Sequence, residues 1–115
     1  MPQQEQGTLT WAERMELRHL QVLVAVAEEG RLHKAAARLR RTTPAVSVAI
    51  RKLEEEAGTP LFERSKRHKL YLTAAGEELV NYAKRLLALS NEARAAVAEL
   101  RSAKGEHTKS MGHGK

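Results

Sequence analysis

Basic side chains are concentrated in one third of the chain. Eleven Lys and Arg residues but only four Glu residues lie between Arg31 and Lys69, which gives this segment a net charge of 11 − 4 = +7. The remaining residues carry nine bases and ten acids and sum to −1. Ammonium and guanidinium groups bind phosphate oxygens, so such a cluster indicates a polyanionic partner. An ordinary solvated face is the alternative, and the concentration of charge in one segment disfavours it.

The segment RLHKAAARLRRTTPAVSVAIRKL, at the centre of this cluster, predicts two helices joined by a basic turn. We expect the first helix over residues 32–39 and the second to begin at Thr42 or Thr43, either of which can cap free backbone N–H groups. Pro44 then lies in the first helical turn, where proline is tolerated. Helix pairs of this kind place their second helix in the DNA major groove. The pattern therefore predicts DNA binding.

The second of these helices has one apolar face and one outward face. Four apolar residues recur at helical spacing and are expected to be buried: Val46, Ile50, Leu53 and Ala57. The opposite face carries Pro44, Ser47, Val48, Arg51 and Glu55. Acidic residues crowd only the second half of the helix. This polarity is expected of a helix that approaches DNA by its N-terminal end.

A scaffold helix and a basic hairpin are expected on either side of this pair. Apolar residues at helical spacing over 15–29 predict a first helix, which Gly30 ends. Residues 59–73 place the basic run SKRHK between two short apolar segments, which predicts two strands joined by a basic loop, called here the wing. Pro60, Leu61 and Phe62 are expected to pack inward. Together these elements predict a mainly α fold, a winged helix-turn-helix with a three-helix core and a short β-hairpin wing.

A long dimerisation helix is predicted over 73–102, with Thr73 as its cap. Its apolar residues recur in alternating steps of four and three, the spacing of a coiled-coil seam. Roughly 28 residues at ~1.5 Å each give a helix of about 40 Å, too long for so small a domain to cover. A helix from a second copy would cover the seam; a core stripe is the alternative. The expected dimer interface comprises Leu79, Tyr82, Ala83, Leu86, Leu89, Ala93, Val97 and Leu100.

The predicted organisation is a single domain with a polar segment at each end. Residues 1–14 are expected to form a flexible extension and residues 15–72 the winged helix-turn-helix domain, with the helix-turn-helix motif at 32–51. Residues 73–102 form the linker helix. The polar, glycine-containing residues 103–115 are expected to form a disordered tail.

Composition excludes several other classes of protein. The 115 residues include no cysteine, so neither a disulfide framework nor a thiolate zinc site is expected. No apolar stretch is long enough to span a membrane and the N-terminus lacks a signal peptide, so we expect a cytoplasmic protein. None of the five histidines has the two-histidine helical spacing of a metal site, and no nucleophile–base or paired-carboxylate constellation indicates an enzyme. We therefore expect no metal, cofactor or catalytic residue.

Four motifs together resemble the N-terminal domain of LysR-type transcriptional regulators. They are Pro44-Ala45-Val46-Ser47, Leu53-Glu54-Glu55-Glu56, Gly58-x-Pro60-Leu61-Phe62-x-Arg64 and Leu72-Thr73-x-x-Gly76. Their order and spacing are far more specific than any one of them. The resemblance extends from Met15 to the end of the long helix and implies a winged helix-turn-helix, a dimerising linker helix and bacterial gene regulation. It also implies a large effector-binding domain after that helix, which we expect this chain to lack, as a fragment or as a natural short form.

Positions carried over from the resemblance locate the expected DNA-facing residues. They make 42–57 the recognition helix, with Thr42 to Val48 as its DNA-facing start, and they put Arg67 at the wing position that approaches phosphate or the minor groove. Relatives often carry a Ser-Gln pair where this chain has Thr42-Thr43. Because that glutamine is a bidentate adenine reader, the target sequence is not expected to follow that of relatives. The full expected DNA-binding set is Arg31, His33, Lys34, Arg41, Thr42, Thr43, Pro44, Ala45, Ser47, Val48, Arg51, Lys66 and Arg67.

Several of these residues have alternative roles that the sequence leaves open. Arg51 reads guanine or holds a phosphate, or it pairs with Glu54 or Glu55 on its own helix. Val48 contacts a thymine methyl group, or it is an ordinary exposed apolar residue. Thr43 binds phosphate or only caps the helix.

Ser47, on the second helix, is expected to bind phosphate. For Arg31, His33 and Lys34, around the start of the first helix, phosphate contact and plain solvation are both open.

The expected function is sequence-specific binding of double-stranded promoter or operator DNA by a homodimer that regulates transcription. It would take place in the cytoplasm, on the nucleoid, without a small-molecule effector bound by this chain. One alternative is a truncated interaction module that pairs with a full-length regulator, as a heterodimer or in a higher oligomer, and need not bind DNA by itself. Another is architectural binding, which would show no sequence preference.

Overall fold

The computed structural model describes residues 15–111, with side-chain environments described for residues 15–103. This part of the chain contains, in order, α1 (Leu17–Glu29), α2 (Leu32–Leu39), α3 (Thr43–Ala57), β1 (Phe62–Arg64), β2 (Leu70–Leu72) and α4 (Ala74–Met111). The predicted mainly α winged helix-turn-helix with a long C-terminal helix is confirmed. The expected extension at 1–14 and the end of the expected tail, 112–115, lie outside the described residues.

The hydrophobic core surrounds α1, which packs against α2, α3 and α4. Leu20, Leu23 and Val26 of α1 are fully buried, and each such side chain stabilises the fold by about 1.5–3 kcal/mol. Ala35 and Ala36 of α2 are also buried, and their small side chains let α2 cross close to α1. Within residues 15–103 no polar or charged side chain is buried. Apolar packing alone therefore forms the core.

The core-facing side of α3 is the one that the sequence predicts. Val46, Ile50 and Leu53 are buried, and Ala57 is half-buried against the core. Gly58 ends the helix in the left-handed conformation, with φ of 75°, and its N–H donates to the carbonyl oxygen of Glu54 at 2.8 Å. The outward face of α3 is thereby fixed by packing.

The turn between α2 and α3 is held by backbone hydrogen bonds. Arg40 adopts a left-handed conformation, with φ of 58°, and the N–H of Arg41 donates to the carbonyl oxygen of Ala36 at 2.9 Å. Helices commonly end with a residue in this conformation, although glycine is the usual choice. Of the two candidate threonines, Thr42 is the cap, since its Oγ1 accepts the N–H of Ala45 at 3.2 Å.

The wing is a two-stranded antiparallel hairpin. Phe62 pairs with Leu72 and Arg64 with Leu70. Leu61 and Phe62 are buried as expected, but the expectation that Pro60 packs inward is wrong, because it is exposed. What Pro60 contributes is its carbonyl oxygen, which accepts the hydroxyl of Thr73 at 2.8 Å.

Helix α4 begins where the sequence predicts and ends later. Thr73 caps it, accepting the N–H of Gly76 at 3.0 Å. The helix continues to Met111, so the expectation that it ends at Ser102 is wrong, as is that of a disordered tail over 103–111. A single glycine such as Gly105 costs a helix only about 1 kcal/mol relative to alanine, and no proline follows it. Among residues 15–111, no helix combines the length and apolar character that crossing a membrane requires.

Candidate DNA interface and pairing surface

The N-terminal half of α3 presents an outward surface with little charge. Residues 42–45 are exposed, Val48 is 41% exposed, and Ser47 is half-buried. Because Thr42 is the cap, capping does not explain Thr43, whose side chain is exposed. Hydroxyl, proline and alkyl groups at one helix end provide hydrogen bonds and apolar contacts suited to base edges and phosphates.

Arg51 continues this surface toward the wing. Within the described residues it forms no ion pair with Glu54 or Glu55, so the alternative of pairing on its own helix is not realised. Arg51, Ser47 and Arg64 line a cleft of about 160 Å³ between α3 and the wing. The cleft shows that the outer face of α3 and the first wing strand lie side by side.

Arg64 is absent from the expected site residues, although it lies in this cleft. The sequence carried a signal for it, because Arg64 is basic and ends the Gly58-x-Pro60-Leu61-Phe62-x-Arg64 motif. Arg64 is exposed, although Phe62, two residues earlier in the same strand, is buried.

The basic turn precedes α3, and the first residues of α2 lie beside the wing. Arg40 and Arg41 are exposed, and their backbone N–H groups donate to carbonyl oxygens at the end of α2. His33 and Lys34, in the first turn of α2, are exposed as well.

The wing tip lies beside the start of α2. Lys66 and Arg67 are exposed at the tip. Arg31 is half-buried, and its Nη1 donates to the carbonyl oxygen of Arg67 at 2.7 Å. This hydrogen bond joins residues 36 positions apart in the sequence, and sequence reasoning missed it. At least one donor of Arg31 is therefore used by the wing.

Not every base in the basic segment belongs to this surface. Nη1 of Arg38 lies 2.8 Å from Oε1 of Glu28 and 3.3 Å from Oε2 of Glu29, both at the end of α1. The hydrogen bond from Arg38 holds the pKa of Glu28 below its ordinary value. Within residues 15–103, by contrast, Arg41, Arg51 and Arg67 have no carboxylate at ion-pair distance. These three unpaired bases lie on α3, the turn and the wing.

A second surface runs along α4. Tyr82, Leu86, Leu89, Val97 and Leu100 are exposed, from 39% for Leu86 to 72% for Leu100. Ala93 is exposed and Leu79 is half-buried against the core. These seven residues, called here the α4 stripe, keep the positions that the sequence assigned to a dimer interface.

The assignment of Ala83 to the dimer interface is wrong. Ala83 is fully buried within its own domain, because α4 packs on α1 there. Heptad spacing identifies apolar positions but not which of them the domain itself covers. Ala83 therefore belongs to the core and not to an exposed seam.

An apolar groove lies at the base of the α4 stripe. It measures about 470 Å³ and is lined by Met15, Ala57, Thr59, Leu61, Ala75, Glu78, Leu79, Tyr82 and Leu86. Within the described residues, no group of three or more His, Cys, Asp or Glu side chains is arranged to hold a metal ion.

Comparison with known proteins decides the family. Residues 17–77, more than half of the chain, match the model of the bacterial regulatory helix-turn-helix proteins of the lysR family. The chain belongs to the LysR family. This stretch of the chain holds the helix-turn-helix and the wing, and the resemblance drawn from the four motifs is confirmed.

Curated LysR relatives are longer than this chain. The HTH-type transcriptional regulator AlsR of Bacillus subtilis is 47% identical over 92 residues, which are 80% of this chain and 30% of AlsR. The HTH-type transcriptional regulator BudR of Klebsiella aerogenes is 48% identical over 79 residues, 69% of this chain and 54% of BudR. The chain thus spans about a third to a half of the length of these two LysR proteins.

Two similar solved structures are LysR DNA-binding domains in complex with DNA. The DNA-binding domain of BenM bound to catB site 1 DNA has a TM-score of 0.73 and 39% identity, covering 76% of this chain and 98% of that domain. The DNA-bound domain of CbnR has a TM-score of 0.68 and 37% identity, covering 74% of this chain and 99% of that domain. The likeness covers these two domains almost completely.

Proposed function

We propose that this chain binds double-stranded operator or promoter DNA sequence-specifically, as a homodimer that regulates transcription. The N-terminal half of α3 would enter the major groove, while the basic turn and the wing would contact phosphates on either side. The observation that carries the proposal is the shared surface of α3 and the wing, with Ser47, Arg51 and Arg64 lining one cleft. Within residues 15–103, Arg41, Arg51 and Arg67 on this surface have no carboxylate at ion-pair distance.

Roles on this surface follow from the chemistry of each group. Arg41, Lys66 and Arg67 are proposed as phosphate contacts, because guanidinium and ammonium groups form charge-assisted bonds to phosphate oxygens. Thr43, Ser47 and Val48 are proposed as groups that approach base edges, and Arg51 as a reader of guanine or a phosphate contact. His33 and Lys34 would follow the backbone beside the groove.

Selection of bound sites from random DNA tests sequence specificity directly. An enriched, interrupted, roughly two-fold symmetric sequence is expected for a dimer whose two copies each read a half-site. Replacing Ser47 or Val48 by a bulky residue should cost ~1–3 kcal/mol and change preference at particular base pairs. Enrichment of no sequence would support architectural binding instead.

The phosphate contacts are tested by the salt dependence of affinity. Arg41→Ala and Arg67→Ala should each lower the slope of log affinity against log salt concentration by about one unit. Arg38→Ala is the matched control, because Arg38 is bound by Glu28 and Glu29 at the end of α1, and its slope should equal that of the parent chain. Unchanged slopes in both test variants would mean that Arg41 and Arg67 are only solvated.

The second candidate function is an interaction module that pairs with a full-length regulator. It would use the same exposed α4 stripe as the homodimer, and a pure pairing module need not bind DNA alone. Titration of operator DNA with the isolated chain separates the two functions: specific binding by the chain itself supports the first, and binding only in a mixture with a longer relative supports the second.

A further inference from the structure

In the part of the chain that the structure describes, one hydrogen bond joins the tip of the wing, residues 65–69, to the body of the domain. Within the described residues, the bonds formed by residues 65–69 are otherwise internal to the turn, from the N–H groups of Arg67, His68 and Lys69 to Ser65 and from Ser65 to Lys69. The exception is the 2.7 Å bond from Nη1 of Arg31 to the carbonyl oxygen of Arg67. Arg31 therefore joins the wing tip to the start of α2.

The hairpin itself is too short to fix the position of its tip. Each strand has three residues, and an isolated two-stranded hairpin is marginally stable at best in water. His68 adds a left-handed conformation with φ of 64° at the tip, which costs free energy in a residue other than glycine. Below the tip, the N–H of Leu70 donates to the carbonyl oxygen of Gly30 at 2.8 Å, so residues 30 and 31 hold two successive points of the wing.

Arg31 is itself well placed to act as a brace. Its backbone is extended, with φ of −144° and ψ of 139°, immediately before the first residue of α2. It is half-buried, so its guanidinium loses less side-chain entropy on binding the carbonyl than a fully exposed arginine would.

We infer that Arg31 is a positioning residue for the wing: it holds the backbone of Arg67 so that the Arg67 side chain meets a DNA phosphate in register with α3. The inference rests on the proposed function, since it names how one of the phosphate contacts is oriented. A positioning role differs from a direct DNA contact, because Arg31 would then act only through Arg67. An independent phosphate contact by Arg31 would instead add to that of Arg67.

The brace is tested first in the free chain, without DNA. Amide hydrogen exchange of Arg67, His68 and Lys69 should become faster in Arg31→Ala and return toward the parent rates in Arg31→Lys, which keeps a donor of similar length. Lys34→Ala is the matched control, because Lys34 is exposed on the same helix, and its tip amides should exchange at the parent rates. Circular dichroism confirms that each variant is folded. Unchanged exchange in Arg31→Ala would overturn the brace.

The positioning role is tested by a double-mutant cycle on selected DNA. Arg67→Ala should weaken binding about tenfold, as expected for a lost charge-assisted hydrogen bond, and Arg31→Ala should weaken it by a similar factor. In the Arg67→Ala background, Arg31→Ala should change affinity by less than about twofold and leave the salt slope unchanged. Lys34→Ala should give the same factor in both backgrounds.

The outcomes separate this inference from the proposed function. If the fold-losses of DNA affinity caused by Arg31→Ala and Arg67→Ala multiply in the double variant, Arg31 is an independent phosphate contact. That result would overturn its positioning role. If the parent chain binds no DNA, the proposed function and the positioning role both fail, while the exchange rates still decide whether Arg31 braces the wing.

Discussion

Oε2 of Glu54 accepts the backbone N–H of Leu61 at 2.9 Å and thereby ties the recognition helix to the base of the wing. The same oxygen lies 3.3 Å from the N–H of Phe62. These two amides precede and begin β1, where the chain turns back after α3. A single carboxylate therefore links the two elements proposed to contact DNA.

Removing this carboxylate should destabilise the domain. Glu54→Ala leaves two partly buried N–H groups without their acceptor, so we expect the free energy of unfolding to fall by about 1–3 kcal/mol. Glu54→Gln keeps one acceptor oxygen and should lose less. Glu55→Ala is the control, since Glu55 is exposed and its change should stay within about 0.5 kcal/mol. Urea denaturation measures all three, and equal losses for Glu54→Ala and Glu55→Ala would contradict the role of Glu54.

Gly76 should be the exception to the rule that alanine stabilises a helix. A Cβ at Gly76 would overlap the carbonyl oxygen of Leu61 and approach the side chain of Leu72 to 2.9 Å. Although Gly→Ala normally gains up to about 1 kcal/mol within a helix, Gly76→Ala should lower stability by about 1–3 kcal/mol through overpacking. Asn81→Ala, exposed on the same helix, is the control and should be neutral or slightly stabilising. A Gly76→Ala chain that melts above the parent would show that β1 can move away.

Much of the fold was predictable because local signals agreed with the packing. Three kinds of signal depend only on residues close in sequence: the helix caps, the glycines after α1 and α3, and the buried stripe of Val46, Ile50 and Leu53. Such signals need no knowledge of distant contacts.

The errors and omissions concern contacts between distant elements. Ala83 was assigned to the wrong surface because spacing along α4 does not reveal which face α1 covers. Glu54 was read as one of three crowded acids, since its bonds to Leu61 and Phe62 depend on the chain reversal after Gly58. The bond from Arg31 to Arg67 spans 36 positions, and no local pattern indicates it.

The ion pair between Glu28 and Arg38 should be visible in a pH titration. The hydrogen bond from Arg38 lowers the pKa of Glu28, so Arg38→Gln should raise the pKa of that carboxyl toward its ordinary value. Carbon NMR of the Glu28 carboxyl measures the titration. Arg41→Gln is the control, because Arg41 has no carboxylate partner within residues 15–103. An identical Glu28 titration in parent and Arg38→Gln chains would contradict the pairing.

The direction of the effect on stability follows from the same shift. A carboxyl whose pKa is lowered in the folded state stabilises that state above its ordinary pKa, and the contribution disappears as pH falls through the lowered value. The stability difference between parent and Arg38→Gln should therefore be present at neutral pH and shrink in acid. Both side chains are more than two-fifths exposed, so the difference should be small and should weaken with added salt.

Pairing through the α4 stripe should fail when a charge is placed in it. Leu86 lines the apolar groove with Leu79 and Tyr82, and it is 39% exposed in the single chain. Leu86→Asp should leave the folded monomer largely intact but bury an unpaired carboxylate in a dimer, weakening association by about tenfold or more. Ala88→Asp is the matched control, since it adds the same charge at an exposed position of α4 outside the stripe.

Dimer and DNA affinities should fall together in Leu86→Asp, because one half-site alone offers few contacts. Sedimentation equilibrium and DNA titration on the same samples measure both quantities, and Ala88→Asp should match the parent chain in each. No small molecule is expected to be needed for binding, because the proposed contacts lie wholly within α2, α3 and the wing. A parent chain that remains monomeric at concentrations where it binds its selected DNA site would refute the proposed dimer, and an affinity that a metabolite switches would refute effector-independent binding.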